Sequence, residues 1–216
     1  MAELEAVLFD MDGLLVDTEP LWFETESEVM ARLGAQWTVA DQERLLGGSM
    51  SNTVGYLLSK AVHPAAADEV ARWMLDGMLS RAAQGRVVVR PGARELLSAV
   101  AAAGIPYALV TSSQREFAEA VIHGAGFRFP VTVAAEDVPA TKPAPDPYLH
   151  AAKQLNADPE RCVAIEDSPN GVASATAAGC RVIAVPSLTP IGPAAGRLVV
   201  PSLAGVTVAT LRDLAA

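Results

Sequence analysis

Two aspartates, Asp10 and Asp12, stand two positions apart at the end of the apolar run Ala6-Val7-Leu8-Phe9, with Gly13 directly behind them. In an extended strand, residues i and i+2 share one side, so both carboxylates can reach one reacting atom as the chain turns at Gly13. One can attack as a nucleophile while the other carries a proton. Against phosphorus, the attacking carboxylate needs the substrate's negative charge cancelled. That calls for a divalent metal and for a cation from farther along the chain.

Polar clusters end three other apolar runs. After Tyr107-Ala108-Leu109-Val110 come Thr111-Ser112-Ser113, hydroxyls and backbone N–H groups suited to phosphate oxygens near a helix N-terminus. Alone, this cluster also reads as an ordinary serine helix cap. Lys142 precedes the stiff Pro143-Ala144-Pro145-Asp146-Pro147 segment, and its default reading in isolation is a solvated lysine. Behind Val163-Ala164-Ile165 come Glu166-Asp167-Ser168-Pro169-Asn170-Gly171. Adjacent acids at a buried strand end are costly unless a cation neutralises them, the alternative being a helix cap by Asp167 or Ser168. His63, His123 and His150 share no ligand spacing and are given no metal role.

The elements that must position these groups alternate. Short apolar runs over 4–9, 107–110, 131–134, 163–165 and 182–185 are each followed by a stretch with helical periodicity, in the later part of the chain over 93–103, 117–124, 148–155 and 172–178. A strand over 198–200 and a helix over 206–214 complete the series, an α/β pattern with a parallel sheet. Open parallel sheets bind ligands outside the carboxyl ends of their strands, where all these clusters fall. Between residues 15 and 86 the sequence shows helical stretches, over 19–33, 39–46, 51–61 and 65–83, and no convincing strand. This segment reads as an inserted four-helix domain, with Trp22, Trp37, Trp73, Met30, Met74 and Met78 as its core. Trp22, so close to the paired acids, is also a candidate substrate contact. The segment 186–196 reads as a surface loop without a role.

The bulk numbers exclude several classes. The 216 residues are 51% hydrophobic, ample for a packed core. A net charge of −9 disfavours nucleic acid and anionic membrane surfaces as partners. No apolar stretch approaches the roughly 18 residues of a membrane span, and residues 1–5 lack a basic leader region. Cys162 and Cys180 are too few for a disulfide framework, and a reducing cytoplasm fits best. A monomer or a homodimer is expected.

The order Asp-x-Asp, Thr/Ser, Lys, Glu-Asp, each at a separate strand end, resembles the haloacid dehalogenase superfamily of phosphotransferases. Asp10-Met-Asp12-Gly-Leu-Leu-Val-Asp-Thr-Glu matches its first motif, Thr111 its second, Lys142-Pro143 its third and Glu166 to Gly171 its fourth. The resemblance implies a Rossmann-like doubly wound core over 1–14 and 87–216, with a small helical-bundle cap over 15–86. It implies that Asp10 attacks phosphorus and becomes an aspartyl phosphate, while Asp12 protonates the leaving oxygen and then deprotonates water. Mg²⁺ would be held by Asp10, the backbone carbonyl of Asp12 and Asp167, with Glu166 assisting. Lys142 would hold Asp10 and the phosphoryl group, and Thr111 and the Ser112 backbone would bind phosphoryl oxygens.

Within the superfamily, dehalogenases lack the second Asp and the metal ligands, so Asp12 and Asp167 argue against that activity. Asp12 likewise argues against a sugar-phosphate sensor without turnover. The remaining choice lies between a phosphatase and a β-phosphoglucomutase-type mutase. Such mutases carry a Gly-x-Ser-Arg segment in the cap and a His after the first motif. Here the corresponding residues are Gly47-Gly48-Ser49-Met50, without the Arg, and Trp22. The segment Asp17-Thr18-Glu19-Pro20-Leu21-Trp22 is similar to hexitol phosphatases and 2-deoxyglucose-6-phosphatases. The expected substrate is therefore a small phosphorylated sugar or polyol, with Glu19, Trp22 and Arg115 as possible contacts.

Overall fold

The computed structural model describes residues 3–45 and 49–216. In chain order its strands are β1 (Ala6–Phe9), β2 (Val16–Asp17), β3 (Val88–Val89), β4 (Tyr107–Val110), β5 (Val131–Val133), β6 (Cys162–Glu166), β7 (Arg181–Ala184) and β8 (Arg197–Val199). The α-helices are α1 (Glu19–Arg32), α2 (Val39–Leu45), α3 (Met50–Lys60), α4 (Ala67–Ala83), α5 (Ala93–Ala102), α6 (Arg115–Gly124), α7 (Asp146–Gln154), α8 (Pro169–Ala177) and α9 (Val208–Ala215).

Six strands form one parallel sheet in the order β5-β4-β1-β6-β7-β8. β1 is apolar at every position because both of its faces are covered. Val7 and Phe9 point into the cluster built with Leu96, Phe117, Val121 and Leu211, from α5, α6 and α9. Ala6 and Leu8 point into the opposite cluster, with Tyr148, Ala151, Val172 and Ala175 of α7 and α8. The chain winds outward from β1 through β4 to β5, then returns to lay β6, β7 and β8 on the other side. The reversal opens a crevice at the carboxyl ends of β1 and β6. Register fixes what emerges there: Phe9 sits beside both Leu109 and Ile165, so Asp10, Thr111 and Glu166 leave the sheet at one edge.

Helices α1 to α4 lie between β2 and β3 and share an apolar cluster of Met30, Leu33, Trp37, Leu57, Val70 and Met74. Two expectations for this segment need correction. Met78 packs into the main core instead, and Trp73 is only partly buried, with the Arg32 guanidinium 5.5 Å from its ring centre. A strand does occur after residue 15: Val16 and Asp17 pair antiparallel with Val89 and Val88. Two residues are too short to show any periodicity in sequence. Gly47 and Gly48, compared above with the mutase segment, lie outside the described residues, whereas Ser49 caps α3 by accepting the Asn52 N–H at 3.3 Å. Among the described residues, no helix is long and apolar enough to cross a membrane. Both cysteines are buried and unbridged, and burial pushes each thiol up to about 12.

Candidate active site

Lys142 binds the site together. Its ammonium is buried and donates to Asp10 Oδ1 at 2.5 Å, to Glu166 Oε1 at 2.5 Å and to the Val110 carbonyl at 2.8 Å. Three partners saturate its three donors. Burial works against its charge, but the Asp10 and Glu166 carboxylates overcome this and hold it above the ordinary lysine range. The Tyr148 hydroxyl donates to the same Glu166 oxygen at 2.6 Å, and the ammonium lies 5.2 Å from the Tyr148 ring centre. Sequence reasoning missed Tyr148, which sits on the buried face of α7 and reads there as core.

Glu166 is wholly inaccessible, and the turn behind it explains how α8 tolerates that. A β-carbon on Gly171 would lie 1.9 Å from the Glu166 carboxyl carbon, so only glycine lets the first turn of α8 close over it. Ser168 caps α8, its hydroxyl accepting the Gly171 N–H at 3.1 Å, and Pro169 occupies the first helical turn. With the cap supplied by Ser168, the Asp167 carboxylate is free to face the crevice. Its Oδ2 accepts the Ser187 hydroxyl at 2.6 Å. The loop after β7 thus has a contact with the site that its proline-rich sequence did not disclose. A β-carbon on Gly13, whose φ is +82°, would lie 2.0 Å from that same Oδ2. The turn after Asp12 therefore also depends on glycine.

Oxygens of Asp10, Glu166 and Asp167 all lie within 4.8 Å of one another. Burial raises Asp10 well above the carboxylate range, with the Glu166 charge adding to it and Lys142 opposing. Burial and then Glu166 raise Asp167 to about 7. One ammonium does not balance three buried carboxylates, and an all-oxygen anionic set suits a hard divalent cation. This group could hold a metal ion.

The Asp12 carboxylate is not one of that group. It accepts from Thr18 Oγ1 at 2.6 Å, Ser113 Oγ at 2.8 Å and Thr111 Oγ1 at 3.3 Å. Burial raises its pKa, and the three hydroxyl hydrogen bonds act in the opposite direction. Thr111 is thus where sequence placed it, at the crevice beside Asp12, and its hydroxyl also accepts the Ser113 N–H at 3.0 Å. Ser112 lines the same cavity. Thr18 and Ser113 were missed as Asp12 partners, because only the turn geometry tells Ser113 from Ser112.

The cavity continues between the strand ends and the helices of 19–83, where α1 presents Glu19, Trp22 and Glu26. Glu19 accepts from Gln42 Nε2 at 3.1 Å, and burial raises it to about 7, with Asp12 adding to the effect. Trp22 packs edge-on against Phe117, with ring centres 5.9 Å apart. Arg115 must be corrected as a possible substrate contact. Its guanidinium is bound to Asp137 and to the Thr132 carbonyl at 3.2 Å, beside the sheet edge, and it does not line the cavity. The acids following β5 captured a side chain that spacing alone had placed near Thr111.

Comparison with known proteins agrees with this architecture. A family model described as haloacid dehalogenase-like hydrolase matches residues 4–179. The chain is 39% identical over 189 residues to hexitol phosphatase A of Escherichia coli, covering 85% of this chain and 84% of that one. It is 33% identical over 185 residues to the bifunctional riboflavin kinase/FMN phosphatase of Arabidopsis thaliana, covering 84% of this chain but 48% of that protein, so it spans about half of that relative's length. Crystal structures of CbbY from Rhodobacter sphaeroides, with phosphate and, in a mutant, with xylulose-1,5-bisphosphate, superpose with a TM-score of 0.88 at 31% identity, over 96% of this chain and 99% of that one. The chain belongs to the haloacid dehalogenase-like hydrolase family.

Proposed function

We propose that this member of the family is a Mg²⁺-dependent phosphatase acting on small phosphorylated sugars or polyols through an aspartyl phosphate on Asp10. The observation that carries this reading is the convergence on one crevice of Asp10, Asp12, Thr111, Lys142 and Asp167, contributed by three strand ends and the loop that precedes α7. Hexitol phosphatase A, the relative at 39% identity, supports the substrate class by its name.

Asp10, Asp167 and the backbone carbonyl of Asp12 would hold Mg²⁺, with Glu166 assisting. The ion supplies charge neutralisation for the phosphoryl oxygens. The chain's own residues do the rest. Lys142, fixed by Glu166 and Val110, orients the Asp10 carboxylate and faces the phosphoryl group. Thr111 and the Ser112 backbone bind phosphoryl oxygens. Asp12, held by three hydroxyls, gives its proton to the leaving oxygen and then takes one from the water that cleaves the aspartyl phosphate. Phosphoryl transfer needs alignment and charge neutralisation above all, and a crevice this rich in fixed groups supplies both.

Residues 15–86 act as a cap over a core of 1–14 and 87–216, hinged at the β2–β3 pair. The cavity lined from both sides supports this, as does the Arg90 N–H bond to the Leu15 carbonyl at 2.9 Å, which ties the two crossings together. Incubation with a panel of sugar and polyol phosphates in Mg²⁺ tests the reading. Free phosphate is the expected product. Isomerised substrate without free phosphate would make the protein a mutase, and no turnover of any member would reject both.

A further inference from the structure

The loop over 186–196 lies beyond the segment 4–179 matched by the family model, and none of the four sequence motifs reaches it. Yet the chain stays beside the Glu166–Asp167 turn after β7 ends at Ala184. The Val185 N–H donates to the Glu166 carbonyl at 2.7 Å, and the Ser187 N–H to the Asp167 carbonyl at 3.4 Å. Pro186 sits between them, with no N–H to donate and a fixed φ. This backbone course brings the half-buried Ser187 to the cavity wall, where its hydroxyl donates to Asp167 Oδ2 at 2.6 Å.

Asp167 lies between β6 and α8, so contacts must set the direction of its side chain. Two neighbours bear on the same oxygen. Oδ2 lies only 2.0 Å from where a β-carbon of Gly13 would stand, so the bare face of that glycine is what admits it. Ser187 Oγ lies 3.3 Å from that same point and closes over the oxygen from the loop side. An oxygen lodged against Gly13 and bound to a hydroxyl is held in place, and holding one oxygen of a planar carboxylate directs the other. Direction matters to a small hard cation, which demands near-ideal octahedral geometry from its ligands. A metal-ligating carboxylate is in turn oriented by the groups that hydrogen-bond to it.

We infer that Ser187 is a positioning residue of the divalent-cation site, its hydroxyl holding Asp167 in the orientation from which the carboxylate, with Asp10, takes a Mg²⁺ ion. The inference rests on the reading of Asp10 and Asp167 as metal ligands and extends that site to a loop outside the motifs. Ser187 acts through Asp167 alone. Without the hydroxyl, the carboxylate gains freedom that the cation must itself restrain, and binding weakens while the fold stays.

Urea unfolding of the purified protein across a Mg²⁺ series tests this. The rise in stability with Mg²⁺ gives the dissociation constant, and the midpoint in chelator gives the stability of the protein itself. Ser187→Ala should raise the Mg²⁺ dissociation constant about 10–100-fold, the usual effect of removing a group that orients a metal ligand. Ser187→Thr keeps the hydroxyl and should return most of that affinity. Thr189→Ala, an exposed position in the same loop, should bind Mg²⁺ as the parent does. Should Ser187→Ala not fold, Ser187→Thr against Ser187→Val asks the same question at matched volume. A serine with a merely structural role would lower the midpoint in chelator and leave the Mg²⁺ dissociation constant unchanged, and that result would overturn the inference alone. Equal weakening in the Thr and Ala variants would do the same, since the hydroxyl would then not be the cause. A parent protein that Mg²⁺ does not stabilise would sink the metal reading and this inference with it.

Discussion

Replacing Lys142 by Met tests whether the site is held together by charge. Methionine fills a comparable volume but removes all three donors, leaving Asp10 Oδ1, Glu166 Oε1 and the Val110 carbonyl without the hydrogen bonds they now accept at 2.5, 2.5 and 2.8 Å. Glu166 keeps the Tyr148 hydroxyl at 2.6 Å, so the loss falls mainly on Asp10. Deleting one partner of a buried ion pair costs about 3–5 kcal/mol, because the other charge stays buried and uncompensated. Against a total stability of about 5–15 kcal/mol, that is a large fraction. Urea unfolding at neutral pH, with chelator and then with Mg²⁺, reads the cost. A cation binding the folded state at 100 times its dissociation constant would return about 2.7 kcal/mol. We therefore expect a loss of about 3–5 kcal/mol in chelator that Mg²⁺ partly restores, together with loss of phosphatase activity. A variant as stable as the parent in chelator would refute the charge argument. A full loss that Mg²⁺ leaves untouched would remove the carboxylates from the metal site.

Asp10→Asn keeps the side-chain shape and an oxygen for Lys142 but removes the attacking carboxylate; it should abolish turnover while leaving the unfolding midpoint near that of the parent, and rapid residual turnover would reject Asp10 as nucleophile. Ser113→Ala removes the 2.8 Å hydrogen bond to Asp12 and should lower kcat roughly tenfold with little change in KM, the equivalent of about 1.4 kcal/mol in one hydrogen bond to a charged group; steady-state kinetics that move only KM would place Ser113 on the substrate instead. Gly171→Ala forces a methyl group to within 1.9 Å of the Glu166 carboxyl carbon, and should cost about 1–3 kcal/mol by overpacking, so an unchanged midpoint would contradict the close approach. Glu26 gives the pH dependence: its pKa rises from 4.5 to about 8, first by burial, so the folded state holds an extra proton between those values and stability falls as pH rises through that window. Glu26→Gln should flatten that decline, by up to about 4–5 kcal/mol between the two limits; parallel stability profiles for the two proteins would show that Glu26 does not titrate in this way.

The groups legible in the sequence are those that interrupt an apolar run at a strand's end. Asp10, Thr111 and Glu166 each follow a buried hydrophobic stretch, where a polar side chain is out of place unless it has a task. The helices of 19–83 were legible through their periodicity. What was not legible depends on contacts between segments remote in sequence. Tyr148 reads as core until its hydroxyl is seen 2.6 Å from Glu166, and Ser187 as loop until it is seen 2.6 Å from Asp167. Arg115 was misplaced for the same reason. Its proximity to Thr111 along the chain was plain, but the acid that captures it, Asp137, lies 22 residues away.

The two aspartates that open the site differ in a way that their spacing conceals. After burial, the charges that raise Asp10 belong to Glu166, Asp167 and Asp12, partly opposed by Lys142. Two of those, Glu166 and Asp167, are groups a divalent cation would neutralise, and its binding would favour the ionised form of Asp10 that the proposed attack needs. Burial also raises Asp12, but what opposes this is mainly a set of hydroxyl hydrogen bonds from Thr18, Ser113 and Thr111. Those hydroxyls fix the Asp12 carboxyl in one orientation, as a group proposed to pass a proton requires. Different environments for the two neighbouring acids are what the proposed roles of nucleophile and proton carrier require. Here the separation comes from a single turn, in which Gly13 lets the chain double back so that Asp10 meets an ammonium and Asp12 meets three hydroxyls.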